Sequence, residues 1–161
     1  MPFSTKLQNF LERNLAYKHT THPIAYTAHE VAAAEHLPAR EVAKVVIIAA
    51  DNVYAMVVLP ANRILHLPEL RHALGVRHAR LATEQELVRL FPDCDLGAMP
   101  PFGNLYDIPV YLDGGLALDD WIAFNAGSHI DVVHMRFQDY KGLVNPLVVP
   151  LARETTMARG W

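Results

Sequence analysis

Two β-branched runs, Val42–Ala50 and Val53–Pro60, are separated only by Asp51-Asn52. A parallel connection needs a dozen or more residues to cross over, so these runs pair antiparallel about a tight turn. That hairpin is the strongest constraint on the fold, and the rest of the chain is arranged around it. Upstream, Phe3, Leu7, Phe10, Leu11 and Leu15 fall on one face of a helix over Phe3–Leu15, with Lys6, Glu12 and Arg13 off it. Tyr17–His22 reads as a short strand closed by Pro23. Thr27 and Glu30 have the spacing of a capping box, opening an alanine-rich helix that ends near Leu37-Pro38.

Downstream, Pro68–Leu74 reads as a short helix stopped by Gly75. Thr83 and Glu86 form a second capping box, for a helix ending at Phe91-Pro92. Asp93–Asp107 has no periodicity and is rich in Gly and Pro. Strands are expected at Ile108–Leu112, Trp121–Asn125 and Ile130–Met135, then a helix near Gln138–Val144 and an extended Leu147–Val149. Helices and strands interleave, yet several connections are hairpins. The expected class is therefore α+β, a mixed, largely antiparallel sheet with helices packed on it.

Composition narrows what such a fold does. A chain of 161 residues suits one domain, here 1–161 with a short tail from about 153, and buries roughly 70% of its unfolded surface without a disulfide or metal. The 52% hydrophobic and 19% charged content excludes a disordered chain. Val45–Ala50, the longest apolar stretch, is too short to span a membrane, and the first residues lack the order of a signal peptide. One cysteine, Cys94, makes no internal disulfide, so a reducing cytoplasm is expected. Fourteen Lys and Arg against 17 Asp and Glu argue against gripping long stretches of DNA or RNA backbone.

Three features carry possible chemistry. Lys44, one of four lysines, opens a strand and shares the face of Val46 and Ile48. It either lays its stem on apolar surface with the ammonium in water, or holds a phosphate at a pocket mouth. The loop Gly97-Ala98-Met99-Pro100-Pro101-Phe102-Gly103 combines two rigid prolines with glycines that permit close approach. It is either a plain connection or a set of backbone amides aimed at a ligand carbonyl. Asn125-Ala126-Gly127-Ser128-His129 lies between two strands, as a simple turn or as a ligand contact with a titratable imidazole. His66, His72 and His78 do not share a helical face, which argues against zinc. Asp93 and Asp95 disfavour a Cys94 thiolate, and no nucleophile elbow, phosphate-cradling loop or dinucleotide fingerprint is present.

Taken in order, His22-Pro23 with the Thr27 helix, Ala43-Lys44-Val45-Val46-Ile47, the Gly97–Gly103 loop and Asn125–His129 resemble the YbaK/prolyl-tRNA synthetase-associated family of aminoacyl-tRNA editing domains. The likeness spans roughly residues 20–145. It implies a barrel-like sheet and a free-standing deacylase that hydrolyses the ester between a wrong amino acid and the terminal adenosine of a tRNA. In that resemblance Lys44 holds the adenosine's phosphate or ribose. Gly97, Pro100, Pro101, Phe102 and Gly103 line the aminoacyl pocket with Asn125, Ala126 and Ser128, and Gly127 and His129 stand at the reacting group. No metal or cofactor is implied. The implied partner is a tRNA acceptor end, with a synthetase or elongation factor supplying further grip. Ser128-His129 replaces the Lys-Arg pair of the YbaK branch, which argues against carrying over that branch's cysteinyl-tRNA(Pro) specificity; Ala, Ser, Cys and Thr stay open as cargo, with a small residue such as Ala or Ser expected. The competing expectation is a non-catalytic module that binds an aminoacyl-adenosine-like ligand, and a third makes Cys94 a nucleophile.

Overall fold

The hairpin forms with Asp51 and Asn52 both in the left-handed region, at φ 47° and 66°, the geometry a two-residue turn needs to match strand twist. Its strands, β2 (Ala43–Ala50) and β3 (Val53–Pro60), pair along their whole length, Ala43 opposite Pro60 and Ala50 opposite Val53. The computed structural model describes residues 3–14 and 17–154. Before the hairpin come α1 (Thr5–Asn14), β1 (Lys18–Thr21) and α2 (Ala28–Ala34). After it come β4 (Arg63–Leu65), α3 (Leu67–Leu74), β5 (Ala79–Leu81), α4 (Glu84–Leu90) and β6 (Val110–Asp113). The chain continues with β7 (Trp121–Asn125), β8 (Asp131–Arg136), α5 (Phe137–Val144), β9 (Leu147–Val149) and β10 (Ala152–Glu154).

Among the described residues these strands make a five-stranded sheet in the order β5-β2-β3-β6-β9, a three-stranded sheet β1-β8-β7 and the pair β4-β10. Pairing of β3 with β6 and of β6 with β9 is parallel, and every other pairing is antiparallel, so the sheet is mixed and largely antiparallel as expected. A single parallel bridge, Val42 to Ala123, ties the two larger sheets together. Both sequence-visible caps form, Thr27 Oγ accepting from Glu30 N at 3.1 Å and Thr83 making the full reciprocal box with Glu86. Three strands escaped the sequence reading. At three residues each, β4, β5 and β10 are too short for alternation to register. Helix α2 stops at Ala34 rather than near Leu37, because His36 turns left-handed at φ 57°. Leu15 and residues 155–161, including Trp161, lie outside the described residues, while Arg153 and Glu154 of the expected tail belong to β10. No helix among the described residues is long and apolar enough to cross a membrane.

Strand alternation distributes the core. The main cluster joins Leu7 and Leu11 of α1 to Met56, Leu112, Phe124 and Met135. A second lies under α2, where Val31 and Ala32 cover Val42, Ala123 and Val132; a third lies under α3, where Leu70 covers Ile48, Val57 and Leu59. Along β2, Ala43 and Ile47 face the main core, while Val42 faces the α2 cluster and Val46 the α3 cluster. Lys44 therefore interrupts the apolar face that α2 and α3 share, the face its position in the strand predicts.

Candidate functional site

The Gly97 loop and the Asn125–His129 turn are distant in sequence and clasped in space. Asp95 N donates to Gly127 O at 2.8 Å, and Gly127 N donates to Ala98 O at 2.9 Å. His129 Nε2 lies 2.7 Å from Leu96 O. A carbonyl only accepts, so Nε2 is the donor in this contact. The other ring nitrogen, Nδ1, is buried and has no hydrogen-bond partner among the described residues. The His129 ring packs on Tyr26 with centroids 4.9 Å apart, beside an open cleft of about 590 Å³ lined by Ile24, Tyr26, Leu96, Ser128, His129 and Ile130.

Two glycines make the clasp possible. Gly97 and Gly127 sit at φ 83° and 98°, a region that side chains rarely enter. At Gly127 a Cβ would also lie 2.9 Å from Ser4 Cβ and 3.1 Å from Ser4 N, because the start of α1 is pinned there by Ser4 N donating to Ala126 O at 2.8 Å. Gly127 thus shapes the turn, and its own amide is already engaged by Ala98.

The second half of the loop is built into the core. Pro100, Pro101, Phe102 and Gly103 are all buried. The Phe102 ring packs against Phe124 at 5.5 Å and edge-on against Tyr140 at 5.4 Å, and Tyr140 Oη donates to Pro101 O at 2.7 Å. A Cβ on Gly103 would stand 2.4 Å from Ile108 O. These four residues hold the loop, while Asp95 and Leu96 line the cleft. Ser128 is similarly committed: its Oγ donates to Asp131 Oδ2 at 2.5 Å and accepts from the Ile130 and Asp131 amides at 3.2 and 3.0 Å. The other Asp131 oxygen meets His19 Nε2 at 2.7 Å.

Lys44 and Asn125 lie on the two strands that meet at the parallel bridge of Val42 with Ala123, and alternation puts each on the same face as its bridged neighbour. Lys44 is half-buried, burial lowers its pKa, and no acceptor for its ammonium occurs among the described residues. Asn125 Oδ1 is also buried without a partner. A desolvated cation and a buried amide oxygen without a partner are each costly to fold.

Cys94 is no part of this. It is buried, and its thiol is pushed up to about 12, by burial first and then by the Asp93 and Asp95 charges against a lowering hydrogen bond to Tyr106. Alkylation of Cys94 in the native chain at pH 8 is expected to be far slower than in the unfolded chain, as followed by mass spectrometry. Its neighbour Asp93 anchors α1. Burial raises the Asp93 carboxyl, but hydrogen bonds from Ser4 at 2.5 Å, from Tyr106 at 3.0 and 3.1 Å and from Cys94 outweigh it, and the net shift is downward. A depressed folded pKa stabilises above the unfolded value near about 3.9 and is lost as pH falls through the folded one. In acid unfolding followed by circular dichroism, Asp93→Asn is expected to lower stability at neutral pH and to flatten its decline below about pH 4.

Sequence reasoning missed Tyr26, Leu96, Ile24 and the Asp131–His19 pair. The Ser-x-x-Asp spacing of Ser128 and Asp131 signals a side-chain-capped turn and would have found one of them. Tyr26 carried no signal beyond preceding a helix cap.

Comparison with known proteins places the chain in a family and matches its fold. Residues 22–143 match the family model described as the aminoacyl-tRNA editing domain. A proline--tRNA ligase of Shouchella clausii (strain KSM-K16) is 32% identical over 106 residues, 66% of this chain but only 18% of that ligase. Among solved structures, one described as a candidate trans-editing enzyme for prolyl tRNA synthetase superposes with a TM-score of 0.84 at 21% identity, covering 95% of this chain and 98% of that one. The crystal structure of hypothetical protein APE2540 gives 0.82 at 18% identity, covering 92% and 99%. The chain belongs to the aminoacyl-tRNA editing domain family.

Proposed function

We propose that this chain is a trans-acting deacylase, hydrolysing the ester that joins a small wrong amino acid, such as Ala, Ser or Cys, to the terminal adenosine of a tRNA. The observation that carries this reading is the half-buried Lys44 ammonium, which has no acceptor among the described residues, on the strand bridged to the one that carries the unsatisfied Asn125 oxygen. A phosphate or ribose oxygen of the adenosine supplies the missing acceptor, and its hydroxyls can donate to Asn125 Oδ1. His129, whose ring lines the cleft, stands where the α-ammonium of the amino acid enters. The Ser128 and His129 amides donate to no acceptor among the described residues and are the candidate donors to the developing oxyanion.

Ester hydrolysis of this kind requires a positioned water and stabilised charge, and the site offers fixed donors and a rigid loop for both. The relation to proline--tRNA ligase makes tRNA for proline the first to test, with a synthetase as the working partner. A single-turnover panel settles the reading: tRNA for Pro, Thr and Ala, each charged with Ala, Ser, Cys, Thr or Pro. Hydrolysis of one mischarged species, lost in Lys44→Ala, is the expected result. Silence across the panel from folded protein, alone and with the cognate synthetase, would leave a binding module instead.

A further inference from the structure

The charge of this chain is unevenly placed. Residues 71–80, Arg-His-Ala-Leu-Gly-Val-Arg-His-Ala-Arg, carry three arginines and two histidines and no acid, while the remainder holds eleven Lys and Arg against 17 Asp and Glu. They span the end of α3, the Gly75 turn and β5. Arg71, His72, Arg77 and His78 are all exposed. Acids are present nearby and are mostly committed. Glu86 holds Arg80 at 2.8 and 3.1 Å, which removes that arginine from the free set. Asp51 accepts from the backbone amides of Arg77 and His78 at 2.9–3.2 Å, and Glu69 lies 4.0 Å from His66. Among the described residues no acceptor for the Arg71 guanidinium occurs and the Arg77 side chain makes no hydrogen bond, while the Asp51 charge acts on both Arg77 and His78 through space and offsets part of the patch.

Placement gives this patch a direction. Helix α3 covers the same face of β2 that presents Lys44, through Leu70 on Ile48 and Leu59. Residue Ala50 ends β2 beside Ala79, and six strand steps from Lys44 to Ala50 make about 20 Å. The unpaired 3′ end of a tRNA is about four nucleotides long, at about 3.4 Å each when stacked and more when extended. A terminal adenosine at Lys44 therefore puts the first phosphates of the acceptor duplex within reach of the α3 end.

From this placement we infer that Arg71 and Arg77, with His72 and His78 beside them, form a docking surface for the phosphate backbone of a tRNA acceptor stem. The inference rests on the tRNA reading above. The surface holds the duplex through charge without reading bases, and it reconciles a net acidic chain with an RNA ligand by concentrating cations where the duplex arrives.

Binding of an uncharged RNA hairpin that ends in single-stranded CCA tests it without any hydrolysis. Fluorescence anisotropy between 50 and 200 mM salt compares the full chain with Arg71→Gln/Arg77→Gln and with Lys141→Gln, an exposed lysine elsewhere. The double variant is expected to bind about tenfold more weakly, with the slope of log affinity on log salt reduced by about two; Lys141→Gln is expected to change neither. Each single variant is expected to reduce the slope by about one, which covers a double variant with a lowered melting temperature. An unchanged slope and affinity in folded variants overturns the inference and turns the patch toward an acidic protein surface. Tight, arginine-dependent hairpin binding by a chain that deacylates nothing overturns the deacylase reading and leaves the docking surface standing.

Discussion

Replacing Lys44 with Met is expected to abolish deacylation, by a hundredfold or more in single-turnover rate, while leaving the melting temperature unchanged or raising it by about 2–4 °C. The two effects have one cause. The ammonium is partly withdrawn from water, which lowers its pKa, and finds no acceptor among the described residues; an apolar side chain of similar length removes that desolvation cost. Because burial disfavours the charged form, the folded state binds protons less readily than the unfolded chain, and the parent gains stability as pH rises through the depressed folded value toward the ordinary lysine range. Lys44→Met is expected to lose that rise. A loss of activity accompanied by a large fall in melting temperature would instead make Lys44 a structural residue.

Phe102→Ala is expected to produce the opposite pattern, a loss of about 3–5 kcal/mol in stability with any surviving folded protein keeping its preference among amino acids. The Phe102 ring is fully buried among Phe10, Phe124 and Tyr140, so truncation opens a cavity at the centre of the main core. Urea unfolding measures the first effect and competition between mischarged tRNAs the second. A change in amino-acid preference with stability intact would return Phe102 to the pocket wall, where the family resemblance puts it. The contrast separates two halves of one loop: residues 95–98 form the clasp with the Asn125–His129 turn, and Pro100–Gly103 anchor it.

The hairpin, both caps, the Gly75 stop and the strand Trp121–Asn125 were legible in the sequence because each is fixed locally. Alternation, cap chemistry and turn residues act over a few positions and need no distant partner. The face on which Lys44 stands followed from the same alternation. The sequence also carried the order of motifs that identifies the family.

What lay beyond it were relations between segments far apart in the chain. That Leu96 and Ala98 clasp Gly127 and His129 depends on the path of a loop without periodicity, and the unpartnered Nδ1 of His129 depends on which carbonyl the other ring nitrogen meets. The strands of Lys44 and Asn125 meet through the bridge of Val42 with Ala123, which no local pattern encodes. Phe102 could have lined a pocket or filled the core until Phe124 and Tyr140 closed around it. Short-range preferences of the backbone decided the elements; burial and hydrogen bonding across the fold decided which of their side chains face a ligand.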